Sequence, residues 1–152
     1  MRALTIHQRL LADPFTRRIF RAVLPRDKLP THCSTSKTHL FVVNTDHSRG
    51  KGEHWMCIYL QPNGVAEYFD SYGMPPQYPE IINFLKRNSH RFIYNKRILQ
   101  GALSQSCGYF CLYYCHKKAR GFSLQSILND FRQLSPLHND QRVRAFYEAV
   151  RI

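Results

Sequence analysis

The stretch ILQGALSQSCGYFCLYYCHKK brings three cysteines and a histidine together over residues 107–116: Cys107, Cys111, Cys115 and His116. Residues of these types could bind a metal, form a disulfide, make a redox cluster, or supply one reactive thiol with two silent neighbours. The spacing argues against a metal. Structural zinc sites pair C-x2-4-C on a turn with a second, distant pair, and here Cys33 and Cys57 stand alone. On a helix, cysteines at i, i+4 and i+8 form a row along one face, not a tetrahedron. The spacing also misses the turn-based patterns of iron–sulfur sites. A disulfide within such a row would join consecutive turns and constrain little. Cys111 and Cys115 read as small apolar residues on a core-facing stripe. No metal site is expected.

Cys107 differs. It follows the small, polar loop QGALSQS and opens the apolar run, so it sits at a helix start. There the helix dipole favours the thiolate. Gly108 removes a side chain beside the sulfur and is expected to let a substrate approach. By position alone, a nucleophile and a buried structural cysteine compete as readings of Cys107.

A thiol nucleophile needs a base, and the base needs an orienting group. Of the eight histidines, His54 stands out. It follows a glycine-bearing loop, opens a strand and precedes the one tryptophan, in GEHW. PNG at 62–64 is a hairpin turn between HWMCIYLQ and VAEYFDSY. Paired residues across it should have indices summing to roughly 126. His54 then falls opposite residues 71–73, close to Asp70. Taken singly, His54 reads equally as a satisfied surface histidine and Asp70 as a turn starter. An oxyanion formed at the thiol would need donors beyond the helix-start N–H groups. Gln100, closing the preceding strand ahead of the cysteine loop, is the side-chain candidate.

The elements that must position these residues follow from patterning. ALTIHQRLLADPF suggests an amphipathic helix bearing Leu4, Leu10 and Leu11, and Asp13-Pro14 suggests the start of a short second one. HLFVVNTD (39–46) is a buried strand. PEIINFLKRNS reads as a helix opened by Pro79, and RFIYNKRILQ as a strand or strand pair. The run from Gly108 has no breaker before Gly121 and reads as one buried helix. SLQSILNDFRQL starts at a Ser123 cap and puts Leu124, Ile127, Leu128, Phe131 and Leu134 on one face. HNDQRVRAFYEAVRI suggests a last helix capped by Asn139 or Asp140 and carrying Val143, Phe146, Tyr147 and Val150. The expected architecture is one α+β domain over 1–152. A central, mostly antiparallel sheet is flanked by helices, with the nucleophile at the N-terminus of a buried helix.

Composition restricts the function class. The chain has 152 residues, 43% of them hydrophobic, enough for one packed core. No apolar run approaches the roughly 20 residues that span a bilayer. The N-terminus lacks the apolar region of a signal peptide, so an intracellular protein with reduced thiols and no membrane association is expected. Lys and Arg number 22 against 10 acids, for a net charge of +12 and a pI near 9.8. Such a field attracts polyanions. The basic residues are dispersed, without a recognition-helix pattern, which predicts salt-sensitive, non-specific DNA contacts.

Taken together, VNTDHSRGKGEHWM, EYFDSYG and LQGALSQSCGYFCLYY, in the order His, Asp, Gln, Cys, resemble the adenovirus-type endopeptidase (adenain) family. That family is more distantly related to the SUMO and ubiquitin-like-protein proteases. The resemblance runs from about Leu4 to the C-terminus and is sharpest over 42–73 and 98–114. It implies the adenain-like cysteine protease fold, with His54 as base, Asp70 as orienting acid, Cys107 as nucleophile and Gln100 as oxyanion donor. Trp55 would wall a narrow groove that favours glycine near the scissile bond. It further implies viral precursor polypeptides as substrates, DNA and a viral peptide as activators, no metal or small-molecule cofactor, a monomer, and a place in the virion and host nucleus. Two features depart from the adenovirus pattern. Asp70 is the acid used by the ubiquitin-like-protein proteases, where adenovirus enzymes usually carry Glu. No cysteine lies between Cys57 and Cys107 for a disulfide-linked peptide. A deconjugase for a ubiquitin-like modifier and a non-catalytic basic nucleic-acid-binding module are the other functional readings.

Overall fold

The computed structural model describes residues 1–150. The hairpin signalled by PNG is the middle of the sheet. Strands β3 (Trp55–Leu60) and β4 (Val65–Phe69) pair antiparallel with Cys57 opposite Phe69 and Leu60 opposite Ala66, the register expected from the turn. Gly64 takes φ +81°, which a side chain would oppose, and the Asn63 carboxamide accepts the Val65 N–H at 2.9 Å. Strand β2 (His39–Asn44) pairs antiparallel with the other side of β3.

Two outer strands make the sheet mixed. β1 (Phe20–Pro25) runs parallel to β2, and β5 (Arg91–Tyr94) runs parallel to β4, giving the order β1-β2-β3-β4-β5. The antiparallel centre is as expected, but half of the pairings are parallel. A parallel pair needs a crossover. Between β4 and β5 it is supplied by α2 (Pro79–Asn88), opened by its proline as expected.

The start of the chain differs from its sequence reading. In α1 (Ala3–Ala12) the buried residues are Ile6 and Leu10, whereas Leu4 and Leu11 face solvent. Asp13 accepts the Thr16 N–H at 3.0 Å, but only a 3-10 turn follows (Thr16–Arg18) before the chain enters β1. Asp13 is instead claimed by a forked pair with Arg120 at the end of α3 (Cys107–Ala119), at 2.7 and 2.9 Å.

The C-terminal helices also shift. α3 closes at Arg120, with Gly121 in the left-handed conformation at φ +86°. Ser123 caps α4 (Leu124–Asn129), its hydroxyl accepting the Ser126 N–H at 3.1 Å. That helix ends before Phe131, which is still buried, and Leu134 is 97% exposed rather than on the core face. α5 (Pro136–Ala149) begins at its proline, four or five residues earlier than a cap at Asn139 or Asp140 would place it. Asn139 and Asp140 therefore do not cap it; they lie buried within it.

Both faces of the sheet are covered. Leu40, Val42, Cys57 and Phe69 face α1, α3 and the C-terminal helices, while Phe41, Val43, Met56 and Ile58 face Ile81, Phe84 and Leu85 of α2. This two-sided burial explains the continuous apolar run of β2.

Candidate active site

The site forms where one end of the sheet meets the start of α3. His54 immediately precedes β3, and its carbonyl accepts the Thr45 N–H at 2.9 Å, which fixes the strand end. Asp70 follows β4. Because the hairpin register brings these ends together, the His54 Nε2–H donates to Asp70 Oδ1 at 2.6 Å. The same oxygen accepts the Tyr72 N–H at 3.0 Å, and the Tyr72 ring stacks on the imidazole with centroids 4.9 Å apart. With Nε2 occupied, Nδ1 is left for Cys107, whose thiol is hydrogen-bonded to His54.

The two groups shift each other. Burial opposes the charged imidazole, but the hydrogen bonds to Asp70 and Cys107 and their negative charges raise the His54 pKa from 6.5 to about 9. Burial likewise opposes the thiolate. The His54 hydrogen bond, the backbone N–H groups of Trp55 and Gly108 and the imidazolium charge nevertheless hold the Cys107 pKa below its usual 9.0. No side chain caps the start of α3, which leaves the dipole of its first turn directed at the thiolate. The other cysteines of the run are different: Cys111 and Cys115 are buried in the core, and burial raises Cys111 to about 11. His116 packs edge-on against Phe146, on the far side of α3 from the relay.

Gln100 comes to the same cleft, though not from a strand. It lies in the loop after β5, and its N–H donates to the Ser71 carbonyl at 3.0 Å. Its side chain is almost fully buried. The Ser71 hydroxyl donates to Oε1, and Nε2 donates to the Ser104 carbonyl at 2.8 Å. Three side chains to which the sequence reading gives no role at the site hold this loop. Asn95 brackets the Asp70 backbone, accepting the Asp70 N–H at 3.0 Å and donating to its carbonyl at 2.5 Å. Asn139 donates to the Leu99 carbonyl at 3.1 Å, and Asp140 accepts the Gly101 N–H. In sequence, Asn139 and Asp140 read only as a helix cap, and Ser71 is marked only by its place beside Asp70. The asparagines act across 25 and 40 residues.

A cleft of about 650 Å3 opens over the site, lined by His54, Trp55, Tyr72, Gln100 and Cys107, by the 46–53 loop and by the N-terminal residues. The loop is pinned: Ser48 bonds to Asp27 through its N–H (2.7 Å) and hydroxyl (2.6 Å), and the Gly52 N–H donates to Asp46 at 2.9 Å. Trp55 lines the cleft, and its indole N–H donates to the Met1 carbonyl at 3.0 Å. Gly108 is placed otherwise than expected. It is buried, and a Cβ there would lie 2.9 Å from that of Met1. Its lack of a side chain makes room for the N-terminal residue, not for an approaching substrate. Among the described residues no group of three or more His, Cys, Asp and Glu is arranged to hold a metal ion, and no helix is long and apolar enough to cross a membrane.

No family model matches the sequence, and no curated protein matches it. Solved structures do match. The ASFV pS273R protease superposes with a TM-score of 0.51 at 24% identity, over 70% of this chain and 43% of that one. A second structure of it gives 0.52 at 19% identity, over 70% and 41%. ChlaDub1 from Chlamydia trachomatis gives 0.50 at 18%, over 74% and 59%. The chain thus spans less than two thirds of the length of either protein. These likenesses show a fold shared with the ASFV pS273R protease and with ChlaDub1.

Proposed function

We propose that this chain is a cysteine endopeptidase of a DNA virus or virus-like element. It would process capsid or core precursor polypeptides during virion maturation, in the virion and host nucleus, cutting next to glycine. The observation that carries the reading is the Asp70–His54–Cys107 relay at an uncapped helix start, opening into a cleft with Gln100 on its wall. The finer viral assignment leans on the adenain-like motifs and on the fold shared with the ASFV protease.

In the mechanism, His54 Nδ1 holds the Cys107 proton, and the thiolate attacks the scissile carbonyl carbon. The oxyanion is held by the Gln100 Nε2–H and the Cys107 backbone N–H. The tetrahedral species collapses as Nδ1–H protonates the departing amine nitrogen, leaving a thioester. A water then loses its proton to Nδ1 and attacks the thioester carbonyl, releasing the acid and restoring the thiolate–imidazolium pair. Asp70 keeps the ring oriented with Nδ1 toward sulfur.

The test is cleavage of a glycine-containing peptide. Cys107→Ala should fall to background with an unchanged melting temperature, and Gln100→Ala should lose roughly 10²–10³ in kcat. Retained cleavage in Cys107→Ala would sink the assignment. A second reading, a deconjugase for a ubiquitin-like modifier, is favoured by Asp70 standing where adenovirus enzymes usually carry Glu. A thiol-reactive probe built on ubiquitin or SUMO separates the two. Rapid labelling of Cys107 supports the deconjugase, and peptide cleavage without labelling supports the viral endopeptidase.

A further inference from the structure

We infer that Ser71 is a positioning residue for the oxyanion donor, its hydroxyl holding the Oε1 end of the Gln100 carboxamide so that Nε2 stays toward Ser104 and the cleft. The inference rests on the proposed role of Gln100. The two ends of a carboxamide have nearly the same shape but opposite polarity. Turned one way, Gln100 offers an N–H to an oxyanion; turned the other, it presents a carbonyl and repels it. Two partners divide the work. The Ser104 carbonyl can only accept, so it selects the Nε2 end, at 2.8 Å; the Ser71 hydroxyl, able to donate or accept, donates to Oε1 and holds the carboxamide in that setting. Ser71 is 1% exposed, as is Gln100, so neither water nor a rotamer change replaces the bond at no cost. The two partners differ in footing. Ser104 belongs to the 101–106 loop, whereas Ser71 directly follows Asp70 at the end of β4. The Ser71 carbonyl also accepts both the Leu99 and the Gln100 N–H, at 2.9 and 3.0 Å.

The dipeptide Asp70-Ser71 therefore serves both halves of the reaction. Asp70 holds the base by its side chain, and Ser71 holds the oxyanion donor by hydroxyl and carbonyl together. Gly73 completes this arrangement. At φ +70°, a Cβ on it would lie 2.6 Å from the Arg97 carbonyl, so the close approach of the Gln100 loop to the strand end needs glycine there.

A double-mutant cycle on peptide cleavage tests the assignment. Ser71→Ala should lower kcat about tenfold, the factor one hydrogen bond supplies, with KM within about twofold. The pH limits of kcat/KM should stay where they are, because the His54–Cys107 pair is untouched. In a Gln100→Ala background the same substitution should change kcat by less than about twofold. An equal loss in both backgrounds, a shifted pH limit, or an unchanged kcat would overturn the inference, as would a Gln100→Ala variant of full activity. A second readout needs no catalysis. The Gln100 side-chain amide pair, identified in a 15N spectrum by its loss in Gln100→Ala, should move in Ser71→Ala; an unmoved pair overturns the inference. A wild-type protein that cleaves no peptide removes the proposed activity, and the spectrum still decides the contact. If Ser71→Ala does not fold, Ser71→Cys, similar in size and a weaker donor, is measured in the same way.

Discussion

Cys107 and His54 are shifted in opposite senses: His54 is the main cause that offsets the burial of Cys107, while His54 is itself raised first by Asp70 and then by Cys107. The thiol lies below its usual 9.0 and the imidazole is raised to about 9. The ion pair therefore exists between those two values. As pH rises through the Cys107 value the thiolate forms and cleavage should increase. As pH rises through about 9 the imidazolium loses the proton that the leaving amine needs, and cleavage should fall. Alkylation by iodoacetamide isolates the first limb: its rate should inflect below 9.0 in the wild type. In His54→Ala only the backbone N–H groups of Trp55 and Gly108 still offset the burial of Cys107, so the inflection should move up. An inflection that stays put would separate the thiol from His54. The reaction should also be confined to one site by mass. Burial raises Cys33, raises Cys57 well above the ordinary range and raises Cys111 to about 11, so these thiols stay protonated and unreactive.

At the scale of elements, the nucleophile is only as well placed as α3, and α3 is seated on the sheet by a buried polar contact. Glu67 on β4 accepts the Tyr114 hydroxyl at 2.7 Å and the Lys118 ammonium at 3.0 Å, all three side chains being buried, while Tyr114 stacks on Phe69 with centroids 4.5 Å apart. Glu67→Ala leaves the Lys118 charge buried and unpaired and should cost about 3 kcal/mol in urea unfolding. Replacing Glu67 and Lys118 by Met and Tyr114 by Phe together should recover most of that, to within about 1 kcal/mol of wild type. A triple variant as unstable as Glu67→Ala would show that the contact does more than offset its own desolvation. None of this contact was visible in the sequence, since Glu67 reads as the polar position of an alternating strand and Lys118 as part of a basic helix end. The legible parts were local. PNG defined the β3–β4 register, and that register alone brings His54 within reach of Asp70. The unbroken run after Gly108 marked α3. What escaped was non-local or interrupted by charge. β1 is an arginine-bearing strand whose parallel register partners lie nineteen or twenty residues away. The Gln100 loop is held by Asn139 and Asp140, which in sequence look like a helix cap.

The whole molecule carries +12, and exposed basic side chains lie at both edges of the sheet. Exposed Arg17 and Arg18 precede β1 at one edge of the sheet. Lys86, Arg87, Arg91 and Lys96 flank or lie on β5 at the other. Basic side chains on an edge strand discourage pairing with another chain, and the same charges give the molecule a field that reaches polyanions. Because the groups sit at opposite edges of the sheet, the DNA interaction expected from the sequence should consist of phosphate contacts. Duplexes of unrelated sequence should then bind equally well, and log affinity should fall linearly with log salt, by about 0.9 per phosphate contact. Substituting Lys86, Arg87 and Arg91 by Gln should shallow that slope by up to about 2.7 without abolishing binding. The Arg17 and Arg18 pair should act independently of them. If DNA also stimulates the reaction, peptide cleavage at low salt should rise when duplex is added, and the gain should disappear over the salt range in which binding is lost. Equal cleavage with and without DNA at low salt, under conditions where the duplex is bound, would leave the charge a matter of solubility and localisation rather than of catalysis.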